Sequence, residues 1–262
     1  MSSVRWALAV LAAGFRIQLA QGRGGSFLLG AVITPMLTTV TFVFIGRYVA
    51  KDAELAPFLV VAPALMGLWS GAIFTAGEII GEERFAGTLE LLVAAPAATE
   101  LAILGRVLAS ASLALIAFPE VLMVSALLGV TLEVQDPLLA AVTLIALAVS
   151  TVALSLLVAS TFVLARSARY FQNVIGYPLY IVSGVAFPIA LLPVWLQPLS
   201  TVVSLSWGAS ALRSALGHRS GDPVVALVAM LILTVGYALL GHWLFARIER
   251  TIRATGEVGL SA

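Results

Sequence analysis

Long uncharged apolar runs, separated by short polar stretches, dominate the chain. A hydrocarbon core about 30 Å thick takes about 20 apolar residues of helix to cross, and runs of that length recur throughout. They are continuously apolar, whereas a barrel strand alternates over about 10 positions, so the pattern predicts helices. Read as spans, the runs cover residues 26–46, 57–77, 107–130, 138–165, 170–187 and 224–244. From Tyr170 to Leu212 there is no charge at all. At about 1.5 Å per residue one helix of that length would reach about 65 Å, about twice the hydrocarbon thickness. Pro178, Pro188, Pro193 and Pro198 interrupt it. The fifth span should therefore end near Phe187, and residues 188–215 should form a broken, re-entrant segment that dips into the outer half of the membrane and returns.

At the amino end, Arg5, Arg16 and Arg23 surround an apolar stretch, Trp6 to Gly14, that is too short to span. A signal peptide has a similar charged start and apolar centre, with Leu11-Ala12-Ala13 as a weak cleavage site. The alternative is an interfacial helix over residues 1–24. It would carry Val4, Leu8, Leu11, Phe15 and Leu19 on one side and arginines at the polar boundary.

Composition supports the membrane reading. Hydrophobic residues make up 61% and charged residues 10%, where a soluble domain carries about a quarter charged. The whole chain, 1–262, reads as one all-α transmembrane domain of six helices. With both termini in the cytoplasm, Arg5, Arg16, Arg23, Arg84, Arg106, Arg166, Arg169, Arg247, Arg250 and Arg253 lie inside, and Arg47, Lys51, Arg213 and Arg219 outside. That asymmetry favours this orientation, and cleavage after the first segment would remove two of its inside anchors. Net charge is +1, which offers no field for nucleic acid. There is no cysteine, hence no thiolate metal site, and the two histidines, His218 and His242, fall on opposite sides of the membrane. Trp69, Trp195, Trp207 and Trp243 read first as interfacial anchors.

The informative polar segment runs from Gly77 to Arg106. Gly87 can turn the chain sharply and Thr88 can cap a new helix. Glu90 then lies in the first turn, where the helix dipole favours it. Leu89, Leu91 and Leu92 give an apolar side, and Pro96 ends the element. The result, over residues 87–98, is a short amphipathic helix held between the second and third spans. It suits docking into a groove on another protein, and it equally fits an ordinary interfacial loop helix.

The pattern Glu83-Arg84-x-x-Gly87-Thr88-Leu89-Glu90-x-Leu92, followed by Pro96 and then Gly105-Arg106, resembles the cytoplasmic signature of type 2 ABC transporter permeases. The interfacial helix, six spans and re-entrant segment resemble that family too. The resemblance implies a coupling helix that docks on an ATPase. Its contact surface would be Gly87, Thr88, Leu89, Glu90, Leu91, Leu92 and Pro96, with Glu82, Glu83 and Arg84 in the preceding turn. It also implies two ATPase copies that bind ATP and Mg, a second permease, identical or homologous, and a place in the cytoplasmic membrane among its lipids. Outward movement of an amphiphilic or lipid-like cargo follows from the same resemblance. A phosphate-binding loop needs a glycine-rich turn ending in lysine. The sole lysine, Lys51, has no glycine near it, so no ATPase or other catalytic site is expected in this chain.

Glu120 follows Pro119 near the centre of the third span. A carboxylate at that depth is costly unless protonated, paired or wet. It reads as a contact in the transport pathway, or as a protonated group bonded to a carbonyl freed by Pro119 or set at a dimer interface. A proton-coupled secondary transporter using Glu120 is the alternative function, although such carriers more often show repeated halves. A membrane-embedded enzyme would need clustered polar groups at one depth, and the spans offer only scattered Ser and Thr. Gly67-x-x-x-Gly71 would permit close helix approach.

Overall fold

The computed structural model describes residues 3–21, 32–46, 56–85, 87, 98–130, 133–164, 176, 178–218 and 221–255. Among them all regular structure is helical: α1 (Ser3–Gln21), α2 (Thr34–Phe44), α3 (Ala56–Phe85), α4 (Ala98–Ala114), α5 (Ala117–Leu127) and α6 (Pro137–Leu164). Residues 178–182 are helical, and Ile189–Leu191 make a 3-10 turn. Then come α7 (Gln197–Ser200), α8 (Ser204–Ala215) and α9 (Pro223–Thr255). Four described stretches are long and apolar enough to cross a membrane: Pro57–Glu82, Glu100–Leu127, Pro137–Phe162 and Pro223–Ile248. The apolar helix α2 is shorter.

Helix ends do not coincide with the ends of the uncharged runs. Past Gly77, α3 continues through Glu78 and Glu82 to Phe85, and α4 starts at Ala98, ahead of Val107. Likewise α9 continues beyond Leu244 to Thr255. Glu and Arg are good helix formers, so a charge marks where the hydrocarbon stops, and the hydrogen-bond ladder carries on.

The third apolar run is divided. Pro119 has no N–H, so the Leu115 carbonyl lacks its usual donor four residues on. It accepts instead from the Phe118 nitrogen at 3.2 Å, and Ile116 N bonds back to Leu113 O at 3.0 Å. This tightened turn at Leu115–Ile116 separates α4 from α5. After residue 182 the chain leaves the helix through Ser183 and Gly184, short of Phe187. Gly184 has φ +63°, a conformation cheap only for glycine.

The core forms around α3. One buried cluster joins Val60, Leu65, Leu68 and Trp69 of α3 to Phe118 and Val121 of α5, Leu147 of α6 and Leu205 and Leu212 of α8. The other joins Ile79 and Ile80 of α3 to Ile103 and Val107 of α4, Leu156 of α6 and Phe245 of α9. The span within α3 is 71% buried and that within α9 17%, so α3 is the axis of the bundle and α9 its rim. Trp69 is a core residue at 3% exposure, whereas Trp195 and Trp243 are exposed. Gly67 and Gly71 serve close packing inside the chain. A Cβ on Gly67 would meet Pro35 of α2 at 3.4 Å and Ala117 of α5 at 3.6 Å, and one on Gly71 would meet Ala114 of α4 at 3.4 Å.

Candidate functional site

The polar segment between α3 and α4 begins on a helix that emerges from the core. Ile79 and Ile80 are buried, Glu82 is exposed, and Phe85, the last residue of α3, is 96% exposed. Gly87 follows with φ +69° and open space where a Cβ would stand, the sharp turn its sequence position predicts. Glu83 and Arg84 belong to α3. Thr88, Leu89, Glu90, Leu91, Leu92 and Pro96, which would make the amphipathic helix, lie outside the described residues. The chain is described again at Ala98, with Glu100 in the first turn of α4.

Three helices are tied together where that segment leaves and returns. The buried Arg106 of α4 donates from Nε to Gln18 Oε1 of α1 at 3.2 Å and from Nη2 to Glu82 Oε2 of α3 at 3.0 Å. Gln18 is itself buried, and the Glu82 side chain is 60% exposed. The wet half of this junction is worth about 0–1 kcal/mol; the buried half carries the penalty of an unmet polar group if broken, about 1–3 kcal/mol. One turn further into the bundle, Thr75 Oγ1 of α3 donates to Gly71 O at 2.7 Å and accepts from Ser110 Oγ of α4 at 2.9 Å. At the start of α4, Glu100 pairs with His242 Nδ1 of α9 at 3.0 Å. Thus α4 is bonded to α1, α3 and α9 close to the point where the polar segment enters it.

The apolar stripe of α1 packs in part, with Leu11, Phe15 and Leu19 half-buried. Gly14 and Gln18 are buried against α4, while Leu8 and Ile17 are exposed at 61% and 50%. A small residue and an amide make the closest approach here, and large apolar residues are left facing outward.

Glu120 stands apart from this group. It is on α5, beyond the turn at Leu115–Ile116, and at about 1.5 Å per residue lies about 20 Å from Arg106. Both carboxyl oxygens are buried with no hydrogen-bond partner among the described residues, and the Leu115 carbonyl left by Pro119 is taken by Phe118. Between α3 and α6 an apolar crevice is lined by Trp69, Ile73, Leu154, Val158, Phe162 and Leu179.

Sequence patterning did not single out Gln18, Glu100 or Phe85, and it placed His242 only on the opposite side of the membrane from His218. Gln18 lies in the apolar run Ile17-Gln18-Leu19, a usable signal because a polar residue at a packing position needs a partner. Phe85 within Glu82-Glu83-Arg84-Phe85 was a second one. Nothing local points from Glu100 to His242, since they are 142 residues apart.

Comparison with protein families gives one match: the family model described as ABC-2 type transporter covers residues 23–216. Comparison with curated proteins gives no match.

Proposed function

The chain belongs to the ABC-2 type transporter family, and we propose that this permease moves an amphiphilic or lipid-like cargo outward, driven by two copies of a separate ABC ATPase that bind ATP and Mg. It works beside a second permease, identical or homologous, in the cytoplasmic membrane, with both termini inside and six spans. The ATPase docks on residues 87–98, the coupling helix, through Gly87, Thr88, Leu89, Glu90, Leu91, Leu92 and Pro96. Glu82, Glu83, Arg84 and Phe85 extend that surface along the last turn of α3.

One observation carries this reading. The helices that enter and leave the docking segment are bonded to each other and to α1 through Arg106, Glu82 and Gln18. A push on the segment is therefore shared between α3 and α4. The apolar crevice beside Trp69 and Ile73 suits the acyl or aromatic part of such a cargo. The reading of Glu120 as a proton-coupled site is not favoured by the family assignment. Its buried carboxyl instead fits a contact in the transport pathway.

Co-purification tests the proposal. Tagged permease in mild detergent is expected to bring down a nucleotide-binding subunit and ATPase activity, and deletion of Leu89 to Pro96 should abolish both. Transport that continues after that deletion would refute the assignment.

A further inference from the structure

At the other end of α3 from Glu82 lies a buried cation with too few partners. Arg213, in the last turn of α8, is 5% exposed. A guanidinium has five N–H donors and cannot shed its charge, so its burial is expensive unless an anion or several acceptors meet it. Here Nη1 reaches the Gly184 carbonyl at a long 3.4 Å, and Nε is buried with no acceptor among the described residues. The guanidinium carbon sits 4.3 Å from the centroid of the Phe58 ring. Arg213 forms no ion pair with a carboxylate among the described residues.

Three separate elements build this place: α8 itself, Phe58 at the start of α3, and the turn at Gly184. His218 closes one side, its backbone nitrogen donating to Arg213 O at 3.0 Å and its imidazole edge-on to the Phe58 ring at 6.2 Å. A ring face attracts the cation but offers its N–H groups no lone pair. The guanidinium is thus held in place and short of acceptors, the state in which arginine takes a carboxylate or phosphate with paired hydrogen bonds.

We propose that Arg213, stacked on Phe58 and beside His218, is the receptor for a phosphate-type oxyanion, borne by a lipid headgroup or free as inorganic phosphate. The anion supplies the acceptors that Nε lacks and neutralises the charge that α8 carries into the bundle. That the anion arrives from the outer side rests on the orientation proposed above; its binding does not.

Thermal unfolding of the permease, with or without its ATPase, in a phosphate-free maltoside detergent tests this. Adding phosphatidylglycerol is expected to raise the Tm of the native protein by several degrees. Inorganic phosphate added without lipid separates the two sources: a matching rise means a free anion suffices, and no rise means the headgroup is required. Either supports the site, provided that Arg213→Gln loses the shift. Should Arg213→Gln fail to insert, Arg213→Lys, which keeps the charge and loses the fork, should show a smaller one. An undiminished shift in these variants, or none in the native protein, overturns the proposal. Loss of ATPase co-purification would strike the transport reading and leave this test intact.

Discussion

Gly14 of α1 and Gly105 of α4 each occupy the spot where the other's helix comes nearest. A Cβ on Gly14 would stand 2.4 Å from the carbonyl oxygen of Ala102, and one on Gly105 would stand 2.2 Å from that of Leu11 and 3.0 Å from the Phe15 nitrogen. The obstacles are backbone atoms and cannot rotate aside. Gly14→Ala or Gly105→Ala is therefore expected to lift α1 from α4 and cost about 1–3 kcal/mol. Once one has separated the helices the second has little left to break, so the double variant should cost less than the sum. Thermal unfolding of the three variants in detergent checks this, and strict additivity would contradict a shared contact.

Arg106→Ala should destabilise by about 1–3 kcal/mol, because it strands the buried Gln18 amide. Glu82→Ala, which breaks only the exposed half of the junction, should cost under about 1 kcal/mol. In the assembled transporter Arg106→Ala is expected to leave ATP hydrolysis running while cargo moved per ATP falls. Equal loss of both activities would mean that Arg106 holds the fold and does not transmit motion.

Glu120 carries two buried oxygens with nothing to bond. Removing an unmet polar group relieves a penalty of about 1–3 kcal/mol, so Glu120→Leu should raise the unfolding temperature. The stability that a protein forgoes at such a place is commonly given up for function, and transport by Glu120→Leu and Glu120→Gln is expected to fall. Unchanged transport of several cargoes would remove this residue from the pathway.

A Cβ on Gly208 of α8 would lie 2.2 Å from Leu147 Cδ2 and 2.5 Å from its Cγ. Leu147 is fully buried and has nowhere to turn. Gly208→Ala is expected to displace α8 from α6 at a cost of about 1–3 kcal/mol, with part recovered by Leu147→Ala in the same chain. A pair of unfolding curves decides it: no recovery in the double variant would place the conflict elsewhere.

Phe85 makes no packing contribution at 96% exposure, so Phe85→Ser should leave stability within about 0.5 kcal/mol of the native value. On the docking reading it should still weaken retention of the ATPase on a tagged permease, which a binding titration would report.

The helical membrane character was legible because apolar runs and lipid thickness share a length scale. The sharp turn at Gly87 was legible because few residues other than glycine take that backbone. Helix ends were not, since Glu78, Glu82 and Arg247 continue their helices beyond the hydrocarbon. The divided third run shows the same limit: Pro119 was visible, but the turn it causes lies four residues earlier, at Leu115. The junction was hardest to foresee. Arg106 stood in the segment singled out by its pattern, yet its partners Gln18 and Glu82 come from two other helices, and that meeting depends on the Gly14 and Gly105 crossing. Trp69 misled for a related reason, because an indole serves equally well at a headgroup boundary or in a packed core.

Phe58 and Glu82 are carried by the same helix, one stacked under Arg213 and the other bonded to Arg106. On the two proposals above, a tilt of α3 would be felt at both ends, and occupancy at the arginine and engagement of an ATPase would then share a coupling free energy, each altering the other's affinity by one common factor. Pro63, just inside Phe58, removes one N–H from the helix ladder, and a bend there would weaken that communication. Stiffening or softening this single position would retune how strongly load and fuel sense one another without touching either binding surface.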